Sequence, residues 1–277
     1  MPDIAISLEG VSHSYNSGTP IKKQALKNIT ICINKSETIG IMGPPGCGKT
    51  TLARLMAGMV KPCMGSITTP GTGPSKVGLL FQFPEHQLFC HTVFDDISYA
   101  LKEAGSLSSD EIETAYLKAC REVGLDPETV RDIRQSELSG GERRRVAIAA
   151  VLAMNPSVII LDEPTVGLDR ASKKKVIKEI KRLSSEGCTL IIISHDIEDL
   201  LSTSERLVLM KEGKIACDGP AKEILLKLGD EEETIPMLPY VTELLLRLGE
   251  KGMDVRRDIY GADEAYAEIK RVICETS

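Results

Sequence analysis

The stretch "ETIGIMGPPGCGKTT", Glu37 to Thr51, restricts the possible folds of this chain more than any other. Its first half reads as a strand, runs into a glycine-rich turn, and closes on Lys49 and Thr50 where a helical pattern begins. Strand, glycine-rich loop and helix in that order make a phosphate-binding loop. The glycines let backbone N–H groups turn inward onto anionic oxygens, and the helix presents its positive end to the same point. Gly43, Pro44, Pro45, Gly46, Cys47 and Gly48 form the cradle. Lys49 then reaches the β and γ phosphates of a nucleotide, Thr50 ligates Mg²⁺ through its hydroxyl, and Thr51 adds a phosphate contact.

The rest of the chain has to supply a sheet around that loop. Ser157 to Leu161 is a continuous apolar run closed by "DEP", and Cys188 to Ile193 is another closed by "SH". Such runs suit strands buried on both faces, which predicts an α/β fold with a mostly parallel core sheet covered by helices. Ile4 to Leu8 and "ALKNITICI" read as further strands, and "RLVLMKEGKIACDGP" as two short strands around a Glu-Gly turn. Helices are expected from the capping pair Ser108 and Glu111 onward, over Glu142 to Ala153, and over Ala171 to Leu183. The acidic break "GDEEETIP" after Leu228 marks a boundary, followed by helical candidates in "YVTELLLRLGEKG" and Ala262 to Val272.

Bulk properties exclude some classes. A formal charge of −6 argues against holding nucleic acid by bulk electrostatics. The eight Cys lie no closer together than Cys32 and Cys47, so they form no CxxC pair, and free thiols are expected. The N-terminus lacks the pattern of a secretion signal, and the apolar runs are strand-sized, so the polypeptide is expected not to span a bilayer by itself.

The strand ends carry the remaining chemistry. Asp162, closing one apolar strand, suits a carboxylate that holds Mg²⁺ directly or through water, and Glu163 beside it suits the general base that orients a water for in-line attack. His195 closes another strand, where it either serves structure or hydrogen-bonds the γ-phosphate and the attacking water. "ELSGGERRR", Glu137 to Arg145, places a hydroxyl and two glycines at a helix start, which reads alone as a cap and in this company as an anion contact.

With that segment between the phosphate loop and "LDEP", the chain resembles the ATP-binding cassette (ABC) ATPases up to about Pro220. The resemblance implies a phosphate-loop cassette with an antiparallel β subdomain and a helical signature subdomain at about 92–154, within a domain covering 1–228. It implies that Ser139, Gly140 and Gly141 cap the ATP bound to an opposite protomer, and that Gln82 touches Mg²⁺ or water and reports nucleotide state. Asp169 would cross the dimer interface, and Tyr15 would stack on adenine or simply pack. The signature departs from the family's usual glutamine at Glu142, whose charge must point away from phosphate or be neutralised by Arg143, Arg144 or Arg145.

"FQFPEHQLF", followed by "TVFDDISYAL", and the tail beyond residue 229 look like the ATPases of energy-coupling factor transporters for vitamins and cobalt or nickel. That likeness implies a motor on the cytoplasmic face of the cell membrane. It would be paired with a second ATPase chain, identical or paralogous, and bound to a transmembrane coupling protein and a substrate-binding membrane subunit. The tail, 229–277, would be a small helical appendage that helps hold the dimer. An ATPase of a conventional ABC importer or exporter is the alternative, and a soluble nucleic-acid or ribosome-associated cassette is a more distant one. All four Phe fall between Phe81 and Phe94; Phe83 and Phe89 are set as partner contacts, against the simpler reading that the rings pack the helical arm.

Overall fold

Alternate residues of the apolar runs go to opposite sides of one sheet. In the computed structural model, which describes residues 3–16, 23–69, 77–82, 87–105, 107–230 and 235–276, the strands are β1 (Ile4–Tyr15), β2 (Lys23–Asn34), β3 (Thr38–Met42), β4 (Met64–Thr68), β5 (Val77–Leu80), β6 (Val158–Asp162), β7 (Thr189–Ile193), β8 (Arg206–Lys211) and β9 (Lys214–Pro220). The helices are α1 (Lys49–Met56), α2 (Val93–Ala104), α3 (Ser109–Glu122), α4 (Pro127–Val130), α5 (Gly140–Ala153), α6 (Arg170–Ser185), α7 (Ile197–Thr203), α8 (Ala221–Asp230), α9 (Tyr240–Glu250) and α10 (Ala262–Thr276).

The core sheet has the order β5-β6-β7-β3-β8-β9; its first five strands run parallel and β9 is antiparallel to β8. Ile160, Ile191, Ile193, Val208 and Met210 face one hydrophobic cluster, shared with α1 and the antiparallel sheet β2-β1-β4. Their neighbours Ile159, Leu161, Leu190, Ile192, Leu207 and Leu209 face the other cluster, shared with α2, α3, α5, α7 and α8. The period of two therefore explains why these strands carry no polar alternation.

Register positions the site. Ile41 pairs with Ile193, Asp162 with Ile193, and Leu80 with Leu161, so β3, β5, β6 and β7 end level with one another. The phosphate loop, Asp162 and Glu163, Ser194 and His195, and Phe81 and Gln82 all emerge from that one carboxyl edge, where open α/β sheets bind ligands. α2 to α5 occupy Val93–Ala153. α8 runs through Asp230, so the helix crosses the boundary drawn after Leu228. The tail has its own small cluster of Leu245, Val255, Ile259, Ala265 and Val272, closed by the Thr242 hydroxyl donating to the Ile259 carbonyl at 2.7 Å.

Candidate functional site

The loop after β3 takes its shape from two glycines. Gly43 (φ 149°) lies so close to β8 that a Cβ there would stand 2.2 Å from the Met210 carbonyl oxygen. Gly48 (φ 109°), the N-cap of α1, would set one 2.7 Å from the Ala25 carbonyl oxygen. Both positions demand glycine by conformation and by space. The β8–β9 turn braces the loop from behind, since Gly213 N–H donates to the Cys47 carbonyl at 3.1 Å. Cys47 is buried, whereas Pro44, Pro45 and Gly46 are exposed. Lys49 Nζ donates to the carbonyls of Gly43 at 2.7 Å and Pro44 at 3.3 Å, which holds the ammonium over the loop. From the antiparallel sheet Tyr15 reaches Thr51, hydroxyl to hydroxyl at 3.3 Å, with the His13 ring edge-on to it at 4.8 Å.

The carboxylates come from the next strand but one. Burial pushes the Asp162 carboxyl above its ordinary range; the hydrogen bond from the Thr50 side chain opposes this, the Glu163 charge adds to it, and Lys49 and Arg54 oppose it more weakly. A buried carboxylate beside a threonine hydroxyl is an oxygen donor pair, the chemistry a small hard cation accepts alongside phosphate oxygens. These residues fit Mg²⁺.

Glu163 has a left-handed backbone, φ 53°, an uncommon state for a non-glycine residue. It is held there by its N–H donating to the Ile193 carbonyl at 2.8 Å, and its carboxylate turns toward the end of β7. Oε2 lies 2.9 Å from His195 Nδ1, and 3.4 Å from both the His195 N–H and the Ser194 hydroxyl. The loops on either side are braced by Thr165, which donates to Asp199 at 2.6 Å, and by Lys173, which pairs with Asp196 at 2.5 Å and Asp199 at 2.9 Å.

Ser139 is the N-cap of α5, and its partner is Glu142. The Glu142 carboxylate accepts from Ser139 N–H at 2.9 Å and from Ser139 Oγ–H at 2.6 Å, while Glu142 N–H donates back to Oγ at 3.3 Å. The serine hydroxyl is the main cause holding the Glu142 carboxyl below its usual range; Arg145 contributes least. Of the outcomes left open for the Glu142 charge, pairing with the following arginines is the lesser part and a capping box the greater, because the first turn of a helix has N–H groups in need of acceptors. Arg144 instead is buried and donates to the Pro164 carbonyl, tying α5 to the turn after Glu163. Gly140 and Gly141 are exposed at the start of α5. Asp169 caps α6, accepting from Ala171 N–H at 2.8 Å, Ser172 N–H at 3.0 Å and the Ser172 hydroxyl at 2.7 Å, bonds that lower its carboxyl below the usual range.

Past β5, Gln82 is exposed. The aromatic residues divide by role. Phe81 packs against the cluster beneath α1, with Arg54 5.8 Å from its ring centre. Phe94 is packed under Arg131 at 4.0 Å and Lys102 at 4.8 Å, with Tyr116 edge-on at 5.0 Å. Phe89 is 66% exposed and makes an edge contact at 4.7 Å with Tyr99, itself exposed. Phe83 lies outside the described residues. Among the described residues no helix is long and apolar enough to cross a membrane.

Two residues that sequence reasoning passes over also enter this region. Asp96 is buried in the first turns of α2 and is bonded to Gln135, 39 residues further on, a pairing with no local signal in the sequence.

Residues 26–166 match the profile of the ABC transporter family. The chain is 38% identical over 280 residues to the energy-coupling factor transporter ATP-binding protein EcfA2 of Clostridium acetobutylicum, covering 97% of this chain and 98% of the relative. It is 36% identical to EcfA2 of Clostridium perfringens, covering 98% and 99%. Among solved structures it is similar to cbiO1 from Clostridium perfringens, part of the ABC transporter complex cbiONQ, with TM-score 0.70, 32% identity, and 90% of this chain and 98% of that one covered. It is also similar to the ATP-binding cassette MJ0796 in a dimeric post-hydrolysis state bound to ADP and Pi, with TM-score 0.68, 28% identity, and 78% and 98% covered.

Proposed function

The chain belongs to the ABC transporter family, and from that premise we propose how its residues turn ATP hydrolysis into transport. It is an ATPase, the ATP-hydrolysing subunit of an energy-coupling factor transporter. One observation carries this reading: the likeness to EcfA2 proteins extends over 97% of the chain, the tail beyond the cassette included.

In the proposed mechanism the N–H groups of Gly43 to Gly48 and the start of α1 hold the β and γ phosphates, and Lys49 leaves the loop carbonyls to join them. Tyr15 lies under the adenine. Thr50 and Asp162 would hold Mg²⁺, which when bound would neutralise charge on the phosphate oxygens. Glu163 accepts the proton of a water as that water's oxygen bonds to the γ-phosphorus and the bond to the β–γ bridging oxygen breaks; ADP takes the electron pair. His195, hydrogen-bonded to Glu163, keeps the carboxylate aimed and contacts the γ-phosphate. Gln82 senses the Mg²⁺ or water. Ser139, Gly140 and Gly141 of a second ATPase chain close the same site from across the interface, Asp169 meets its counterpart there, and so hydrolysis needs the pair.

On this reading the chain sits at the cytoplasmic face of the cell membrane, bound through Phe89 and its surroundings to a transmembrane coupling protein. A separate membrane subunit selects a micronutrient such as a vitamin or a cobalt or nickel ion. The appendage after the cassette, 229–277, helps hold the two ATPases together. Mass spectrometry of the intact complex, isolated from the membrane through this chain, tests the assignment. Two ATPase chains, one coupling protein and a small membrane protein carrying its cargo are expected; a dedicated pair of permeases without such a cargo protein would make this the ATPase of a conventional ABC transporter instead.

A further inference from the structure

α2 lacks acceptors for its first N–H groups, as every helix does, and a segment leading to the signature supplies them. Val93 N–H donates to the Ile133 carbonyl and Phe94 N–H to the Arg131 carbonyl, each at 3.1 Å. Arg131 lies over the Phe94 ring and makes a forked pair with Glu113 at 2.6 and 2.8 Å. Beside this lacing sits Asp96, 7% exposed, with both oxygens engaged. Oδ1 accepts from the N–H groups of Phe89 and Cys90, each at 2.9 Å, and Oδ2 accepts from Gln135 Nε2 at 2.7 Å. Gln135 Nε2 also donates to the Cys90 carbonyl at 2.8 Å.

Gln135 opens a single 3-10 turn, Gln135–Glu137, whose carbonyl accepts from Leu138 N–H at 3.3 Å; Leu138 is buried, and Ser139 follows. The path from the exposed Phe89–Tyr99 pair to the signature serine is therefore Phe89, Asp96, Gln135, Leu138 and Ser139, with no step through solvent. A buried carboxylate held by amide donors is intolerant of a lost partner, which makes the joint stiff.

We propose that Asp96 and Gln135 are positioning residues. They fix the signature serine relative to the Phe89–Tyr99 surface, so that displacement of that surface by a docked partner moves the start of α5. The role as a transport coupler rests on the function proposed above; the mechanical link itself does not.

Hydrogen exchange on the isolated full-length chain tests the link. Asp96→Asn keeps an oxygen for the Phe89 and Cys90 amides but sets one NH₂ against another at Gln135, and Gln135→Ala removes the bridge from the other side. Each is expected to speed exchange of the hydrogen-bonded Glu137, Leu138 and Ser139 amides by about tenfold, in the range of measured couplings between sites. Amides of β6 serve as the reference and are expected to stay unchanged. The double variant Asp96→Asn with Gln135→Ala, which removes the opposed NH₂ groups, is expected to speed exchange by less than the two single effects combined, as two changes at one contact do. If both single variants leave the amides of Glu137, Leu138 and Ser139 as in the wild type, or if β6 rises with them, the proposal is overturned. In the membrane complex the same variants are expected to lose stimulation of ATP hydrolysis by the membrane partners, while the detached ATPase stays within about twofold of wild type. If the wild-type chain brings down no membrane partner, the transporter reading fails and the exchange result still decides the link.

Discussion

Glu163 Oε2 and His195 Nδ1 stand 2.9 Å apart, one residue leaving β6 and the other leaving β7. The contact spans neighbouring strands whose ends are level, so the left-handed turn at Glu163 serves to bring its carboxylate sideways onto the histidine rather than onward along β6.

Glu163→Gln is therefore expected to keep the side chain's place and its hydrogen bond while removing the proton acceptor. Steady-state hydrolysis in the assembled pair should fall by about 100-fold or more, with ATP binding kept and the closed dimer trapped. Lys49→Ala should lose both, because in the proposed mechanism the ammonium contacts phosphate before the reaction as well as during it. Wild-type turnover in Glu163→Gln would remove this residue from the base role.

Asp162 gives a prediction with a sign. Its carboxyl is raised by burial, so its contribution to folding is fully present below the ordinary aspartate range and is lost as pH rises through the raised value. At neutral pH the ionised form opposes folding of the metal-free chain. Asp162→Asn should raise Tm there, each kcal/mol regained being worth about 2–4 °C in a domain of this size. The gain should vanish in acid. The same variant should lose the extra stabilisation that Mg²⁺ adds to bound ATP, a difference readable by thermal melts with and without chelator.

The loop, "DEP" and "SH" are legible in the sequence because each is joined to the apolar strand that ends on it, and a parallel sheet with level strands must gather such ends. Thr165 with Asp199, Arg144 with Pro164, and Asp96 with Gln135 are not legible, since each joins segments 20 to 39 residues apart through a side chain with no periodic signal. Glu142 lies between these cases. Its spacing from Ser139 is that of a cap, as at Ser108 and Glu111, but only the folded turn shows that the serine hydroxyl itself is the carboxylate's main partner.

That partnership separates two substitutions in the signature. Glutamine at 142 retains a carbonyl oxygen for the Ser139 N–H and Oγ–H, so Glu142→Gln should change hydrolysis by less than about 100-fold, which corresponds to about 3 kcal/mol of barrier. Ser139→Ala removes the cap and the hydroxyl together. It should cost about 1 kcal/mol of stability and, if the serine faces the partner's nucleotide as proposed, also depress hydrolysis in the pair. A larger kinetic loss in Glu142→Gln than in Ser139→Ala would mean that the carboxylate, not the hydroxyl, is the group that matters at this position.

The aromatic residues separate bracing from docking. Phe94 is enclosed by Arg131, Lys102 and Tyr116, so Phe94→Ala should lose ring packing and the cation contacts together, about 2 kcal/mol or more. Phe89 touches Tyr99 and is otherwise open, so Phe89→Ala should stay within about 0.5 kcal/mol of wild type in denaturant unfolding. Assembly should run in the opposite order. The complex isolated through a Phe89→Ala chain should lose its membrane subunits, because an exposed aromatic pair gains most when a partner removes it from water. If Phe89→Ala melts as low as Phe94→Ala and assembles normally, the exposed ring braces the arm and docking lies elsewhere.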